Sequence, residues 1–294
     1  MPDLELIILG TSSPIHSSHR FGNSQVIQGG DSSIMIDAGW GTTLRLFQAQ
    51  IRLPTIDAVF FTHLHSDHIT DFADFMVMRW VTGIREPLPV YGPAGTKRMI
   101  EGFQQILEAD TGFRIAHHGD KLDPRGPHCD VTEIDAGDDP VEIARVGDIT
   151  VSAFAVDHRP VIPAYGFRVE RNGKTIAISG DTNYCAGLVN GARDADLFVC
   201  DALNKEMMTR FEEGIRKAGG AIPAANLEDA HSYHGSPTDA ATAARDANAK
   251  HLVLTHLMPP IPEEGPQVDE FIKGVPDIYD GPLTIAKDLM RLSV

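Results

Sequence analysis

Three histidines and an aspartate fall within six residues at His63-Leu64-His65-Ser66-Asp67-His68. Imidazole nitrogen and carboxylate oxygen are the donors that Zn²⁺ accepts in tetrahedral or five-coordinate geometry. His63 and His65 alternate across Leu64, so both can face one side. Asp67 and His68 follow where the chain turns, so they face a second position close by. The spacing therefore predicts two adjacent ions, one on His63 and His65 and the other on Asp67 and His68. Chance surface histidines on a polar turn would not crowd the end of an apolar run in this way.

That apolar run (Ile56, Ala58, Val59, Phe60, Phe61) has the length and the β-branched and aromatic character of a buried strand. After it, Ile69 to Gly83 reads as a helix, with Ile69, Phe72, Phe75, Met76 and Arg79-Trp80 at helical spacing. The cluster thus sits where a strand meets a helix. Both ends of such a turn are held, which preorganises ligands better than a free loop does.

On this motif the chain resembles the metallo-β-lactamase superfamily, on the side of its ribonuclease Z and arylsulfatase-like members. The resemblance covers nearly the whole chain. The opening Leu9-Gly10-Thr11-Ser12-Ser13-Pro14, with Arg20 and Asn23-Ser24, is similar to the first motif of ribonuclease Z-like enzymes. In Ile36-Asp37-Ala38-Gly39 the resemblance makes Asp37 an orienting partner of the metal loop; taken alone, Asp37 equally reads as a cap for a helix over Thr42 to Gln50. The resemblance further singles out His158, Asp181 in Ser179-Gly180-Asp181-Thr182, His234 in His234-Gly235-Ser236-Pro237, and His256 in Leu254-Thr255-His256.

The implied assignment is one zinc on His63, His65, His158 and Asp181 and a second on Asp67, His68, His256 and Asp181, with Mn²⁺ or Fe²⁺ as alternatives. The implied chemistry is hydrolysis by water activated between two cations, whose pKa falls toward ~7. Asp67 orients that nucleophile and His234 stabilises the developing oxyanion or protonates the leaving group, with His231 a rival for that role. His16, His19, His117, His118, His128 and His251 read as ordinary residues, Trp40 equally as a wall of the substrate pocket or a packing residue, and Cys185 as a packing residue near the site.

The substrate is harder to read. A net charge of −16 argues against gripping a phosphate backbone, which calls for a Lys/Arg footprint. Ribonuclease Z-type enzymes commonly carry a long arm between the third and fourth motifs, and the short interval from His158 to Asp181 has none. The residues after His234 and His256 lean toward arylsulfatase-like members. The expectation is therefore a small-molecule ester, an aryl sulfate or a phosphodiester, with nucleic acid disfavoured. A ribonuclease Z-type endonuclease maturing the 3′ end of transfer RNA, or a lactonase, is the alternative.

The expected fold is α/β, a four-layer αββα sandwich with mixed sheets. It is expected to form one domain over 1–294, in two similar halves of roughly 1–125 and 140–294. The three cysteines, Cys129, Cys185 and Cys200, are odd in number and show no paired spacing. No apolar run reaches spanning length, and Met1-Pro2-Asp3-Leu4-Glu5 lacks a cationic leader. A cytoplasmic protein without a membrane partner is expected, and the resemblance adds a homodimer. Ala94 to Glu108 reads as an amphipathic helix. Residues 109–130 read as a long loop or lid, Gly219 to Asp229 as a Gly/Ala-rich loop, and 259–282 as a Pro/Gly-rich loop. Ser236 and Asp239 have the spacing of a helix-capping box.

Overall fold

The computed structural model describes residues 2–294. Six strands build most of the first sheet: β1 (Glu5–Gly10), β2 (Ser24–Gly29), β3 (Ser32–Ile36), β4 (Ala58–Phe60), β5 (Leu88–Gly92) and β6 (Cys129–Glu133). The second holds β7 (Val141–Val146), β8 (Ile149–Ala155), β9 (Tyr165–Arg171), β10 (Lys174–Ile178), β11 (Leu197–Leu203), β12 (Leu252–Met258) and β13 (Leu283–Ile285). The last strand, β14 (Arg291–Ser293), returns to the first sheet and pairs antiparallel with β1. The resulting seven-stranded sheets run β14-β1-β2-β3-β4-β5-β6 and β13-β12-β11-β10-β9-β8-β7. Each is antiparallel at one end and parallel at the other, with the change at β3 in one and at β10 in the other.

Strands buried on both faces need both alternating residue sets to be apolar, and the central strands supply them. On β1, Leu6 and Ile8 face the space between the sheets, where they meet Val151, Phe167, Ile176 and Val199. Ile7 and Leu9 face outward, toward Leu46, Phe72, Phe75 and Ile100. Those four lie on α1 (Thr42–Gln48), α3 (Phe72–Val81) and α4 (Thr96–His118). The second sheet turns Phe198, Cys200 and Leu254 outward onto α5 (Ala186–Gly191) and α8 (Pro237–Asp246), where four alanines allow close approach. The layers are thus helix, sheet, sheet, helix. The chain is α/β with mixed sheets, as the resemblance implied.

Local structure departs from the sequence expectation in four places. The helix expected over Ile69 to Gly83 is two: α2 (Ser66–Ile69), which contains Asp67 and His68, and α3. The break at Thr70-Asp71 arises because Asp71 turns its backbone N–H to Ala38 O, while Ala38 donates to His68 O. Residues 109–118 are helix, not loop, because α4 continues for 23 residues. Only Thr96 and Ile100 of α4 are buried, and Ile106 and Phe113 point into solvent, which is why no apolar period survives there. Residues 221–229 form a helix, α7, which follows α6 (Lys205–Lys217) as a hairpin. Pro223 sits in its first turn, where the missing N–H costs nothing. The 259–282 segment carries one short helix, α9 (Pro266–Phe271). The capping box forms: Ser236 Oγ accepts from Asp239 N at 3.1 Å, and Asp239 Oδ2 accepts from Ser236 N at 2.8 Å. Among the described residues, no helix is long and apolar enough to cross a membrane.

Candidate metal centre

The carboxyl-terminal ends of the central strands meet at one edge of the sandwich, and each delivers a polar side chain there. His63 follows β4. Its neighbour Thr62 donates N–H and Oγ–H to Asp37 at 2.9 and 2.8 Å. Asp37, just past β3, is fully buried with φ 58°. It also accepts from His68 Nδ1 at 2.8 Å. A carboxylate can only accept here, so His68 carries a proton on Nδ1 and turns Nε2 toward the cluster. Asp37 does not cap α1, whose N-cap is Gly41.

On the second sheet, His158 follows β8 and donates Nδ1–H to Tyr233 O at 3.1 Å, which leaves its Nε2 free. Asp181 follows β10 across Gly180, whose φ is +64°. A Cβ at Gly180 would lie 2.9 Å from Thr62 Cβ and Tyr165 O. Glycine is therefore required for close passage against the neighbouring strand ends. His256 lies in β12 at a bulge: Asp201 pairs with Thr255 and Ala202 with Leu257, so His256 is the extra residue, at φ 46°. Such a bulge re-aims a side chain that regular alternation would send elsewhere.

Two donor sets hold all seven residues expected as ligands, and a third group joins Asp181 and His256 to Asp201 and His234. His63 Nε2 lies 3.0 Å from His65 Nδ1, which lies 3.2 Å from His158 Nε2. Asp181 Oδ2 stands 3.7 Å from His63 Nε2 and 4.0 Å from His158 Nε2. The same oxygen lies 3.3 Å from His68 Nε2 and 3.4 Å from His256 Nε2, and Asp67 Oδ2 completes that second set at 3.2 Å from His256. In each set, the ligand atoms all lie within 4.8 Å of one another.

The residues fit a pair of divalent cations. Facing imidazole nitrogens have no acceptor between them, and tetrahedral ligation by histidine sets nitrogens about 3.3 Å apart. Asp181 Oδ1 and His68 Nε2 are buried without any hydrogen-bond partner, which is costly unless a ligand satisfies such groups. Burial holds His63, His65 and His158 below the ordinary imidazole range, in the neutral form that ligates. Burial disfavours the charged forms of Asp181 and His68 as well, but their mutual attraction and further opposite charges win. The Asp181 carboxyl is held well below the ordinary range, and His68 well above it.

Sequence reasoning missed Asp201. It is buried in the otherwise apolar β11, and its Oδ2 lies 2.8 Å from His234 Nδ1. The signal was there, a lone carboxylate in a strand with no other charge. Burial first, then the nearby Asp181 charge, pushes the Asp201 carboxyl up. Burial pushes His234 down to about 4. The His234 ring stacks on His256 with centroids 5.5 Å apart. His231 instead bonds the buried Glu212 at 2.7 Å. A pocket of about 480 Å³ opens over the cluster, with His65, Asp67, Asp181 and His234 at its base. His16, His19, Trp40, Cys185 and residues 109–130 do not line it. His16 stacks on Trp40, and Cys185 caps α5. The 109–130 segment is therefore no lid.

A family model described as a beta-lactamase superfamily domain matches residues 32–257. A protein of Mycobacterium bovis (strain BCG / Pasteur 1173P2) named Ribonuclease Z is 34% identical over 295 residues, covering 99% of this chain and 98% of its own. Among solved structures, the Bacillus subtilis metallo-beta-lactamase fold protein YhfI superposes with a TM-score of 0.71 at 19% identity, over 100% of both chains. The short form of human tRNase Z superposes with a TM-score of 0.69 at 22% identity, over 99% of both.

The near full-length identity to a Ribonuclease Z overturns the expectation of a small-ester substrate, and with it the disfavouring of nucleic acid. Two of the arguments behind that expectation fail for physical reasons. Net charge is a property of the whole surface, whereas binding at the cluster answers to the local field, which cations would invert. The missing arm does not discriminate either: an alignment of 295 residues over chains this similar in length leaves no long insertion in the M. bovis protein.

Proposed function

The chain belongs to the beta-lactamase superfamily, and from that premise we propose that it is a metal-dependent endoribonuclease of the ribonuclease Z kind, cutting precursor transfer RNA on its 3′ side. The observation that carries this is the 34% identity to a Ribonuclease Z along 98% of that protein's length. The donor sets support it. His63, His65, His158 and Asp181 would hold one cation, and Asp67, His68, His256 and Asp181 the other. Zinc is the metal that suits this mixture of imidazole and carboxylate. Ligands come from both halves of the chain, which supports reading 1–294 as one domain.

When bound, two such cations acidify water toward ~7 and draw negative charge from a phosphoryl group. Asp67 accepts a hydrogen bond from the attacking water and orients it. Asp37 holds His68 and Thr62 rigid, so the base of the pocket is set before substrate arrives. Asp201 and His234 share a proton across their 2.8 Å contact. Passing it out through Nε2 protonates the leaving oxygen as the phosphorus–oxygen bond breaks, a contribution of ~10²–10⁴-fold in rate.

The test is cleavage of a precursor transfer RNA by zinc-loaded protein, with chelated protein as control. A single cut at the 3′ side, abolished by chelation, is the expected result. Turnover of small esters with the RNA left intact would overturn the proposal.

A further inference from the structure

Asp201 and His234 lie 33 positions apart, and the chain between them is chiefly the α6–α7 hairpin. Its apolar stripe is longer than the core beneath it. On α6, Met207 and Met208 are buried. Phe211 and Ile215, continuing the same helical spacing, line the pocket over the metal centre instead. Phe211 remains 37% exposed. From α7 and beyond, Pro223, Leu227 and Tyr233 extend the wall. Asn226 is the polar residue on its α7 side.

The hairpin is held in place independently of any ligand. Asn204 caps α6, with its side chain accepting from Met207 N at 3.0 Å and donating to Phe271 O at 3.0 Å. Arg216 pairs with Glu228 across the hairpin at 3.0 Å. Glu212, 3% exposed, bonds His231 at 2.7 Å and ties α6 to the segment that carries His234. A fixed, half-open apolar surface beside a charged catalytic centre has the composition of a ligand pocket: apolar walls with a few placed polar groups.

We propose that this wall receives an unpaired nucleobase beside the scissile phosphate, with Phe211 as the stacking platform and Asn226 facing the base edge; the inference rests on the ribonuclease reading. No lysine or arginine lines the pocket among the described residues, so the wall is unsuited to phosphate, which is left to the metal centre. A flat π-face on an apolar shelf is what a base requires, and stacking of this kind tolerates any base. The volume of about 480 Å³ suits single-stranded nucleotides threading to the cluster, with the duplex stem outside. The wall thus selects for unpaired RNA at the cut.

The experiment is a fluorescence titration of the zinc-loaded protein with a short single-stranded RNA containing 2-aminopurine, whose emission is quenched on stacking. It compares the wild type with Phe211→Ala, Phe211→Leu and Phe211→Trp, each first checked for zinc content and melting temperature. Quenching is expected in the wild type and in Phe211→Trp. Phe211→Ala and Phe211→Leu are expected to lose the quench and bind about 10-fold more weakly. Absence of quenching in the wild type, or full quenching in Phe211→Leu, overturns the stacking assignment. Precursor cleavage is measured in parallel. Quenching without cleavage sinks the ribonuclease reading and keeps the wall, whereas cleavage with a quench indifferent to Phe211 sinks the wall alone.

Discussion

Asp181 is the side chain on which both donor sets depend, since one oxygen faces His63 and His158 on one side and His68 and His256 on the other. Replacing it removes a ligand from each set and leaves His63 and His158 without a carboxylate partner. Asp181→Ala is expected to hold less than one zinc per chain by elemental analysis and to lose RNA cleavage; two retained ions would refute the shared role. Asp201→Asn is a subtler change. The amide keeps the shape and a hydrogen bond to His234 Nδ1 but cannot exchange the proton that the pair shares. Zinc content should stay at the wild-type level while kcat falls ~10²–10⁴-fold and KM changes little. An unchanged kcat would remove Asp201 from the chemistry. His231 belongs to a different task. Cutting it back in His231→Ala strands the buried Glu212 carboxylate, at a cost of about 1–3 kcal/mol. A lowered melting temperature with unchanged zinc content is the expected signature.

The elements show how a strand edge becomes a site. Regular alternation sends side chains up or down from a sheet, not along its edge. The chain departs from regularity where a ligand or its partner must be aimed: Asp37 and His256 adopt left-handed backbone, and the β11–β12 register slips at Asp201. Non-glycine residues in that region cost of order 1–3 kcal/mol and persist only where their surroundings hold them. Gly180 is the same device with the side chain removed. Gly180→Ala meets both a positive φ and a Cβ 2.9 Å from Thr62 and Tyr165. It is expected to destabilise by more than ~1 kcal/mol in denaturant unfolding; an unaltered midpoint would show that the strand ends can give way.

At the scale of the whole molecule, the two sheets stay together across a continuous apolar interior, yet at the metal edge they present buried carboxylates and imidazoles to each other. Asp67 and His68 come from one half, and Asp181 and His256 from the other. Cations held there would therefore act as a clasp between the sheets and stabilise the folded state by mass action. Chelation is expected to lower the melting temperature measurably, and restoring zinc to recover it. A melting temperature indifferent to chelation would mean that the edge is held by protein contacts alone.

The fold and the cluster of donors were legible because their signals are local. An apolar run ending in His63-Leu64-His65-Ser66-Asp67-His68 carries both the strand and its donors, and Ser179-Gly180-Asp181-Thr182 names its own turn. Three things required the tertiary structure. Asp201 took its meaning from a histidine 33 positions away, brought to it by the strand edge. Residues 109–118 and 221–229 were misread because a helix that packs along only part of its length leaves no complete apolar period. The substrate was misjudged from net charge, because charge summed over the sequence has no position, and recognition depends on the field and the walls at one place. Sequence alone determined which donors the chain owns. Folding decided that His234 and not His231 stands against the cluster, and that Phe211 and Ile215 face a pocket rather than a core, because only packing settles which apolar residues find a partner.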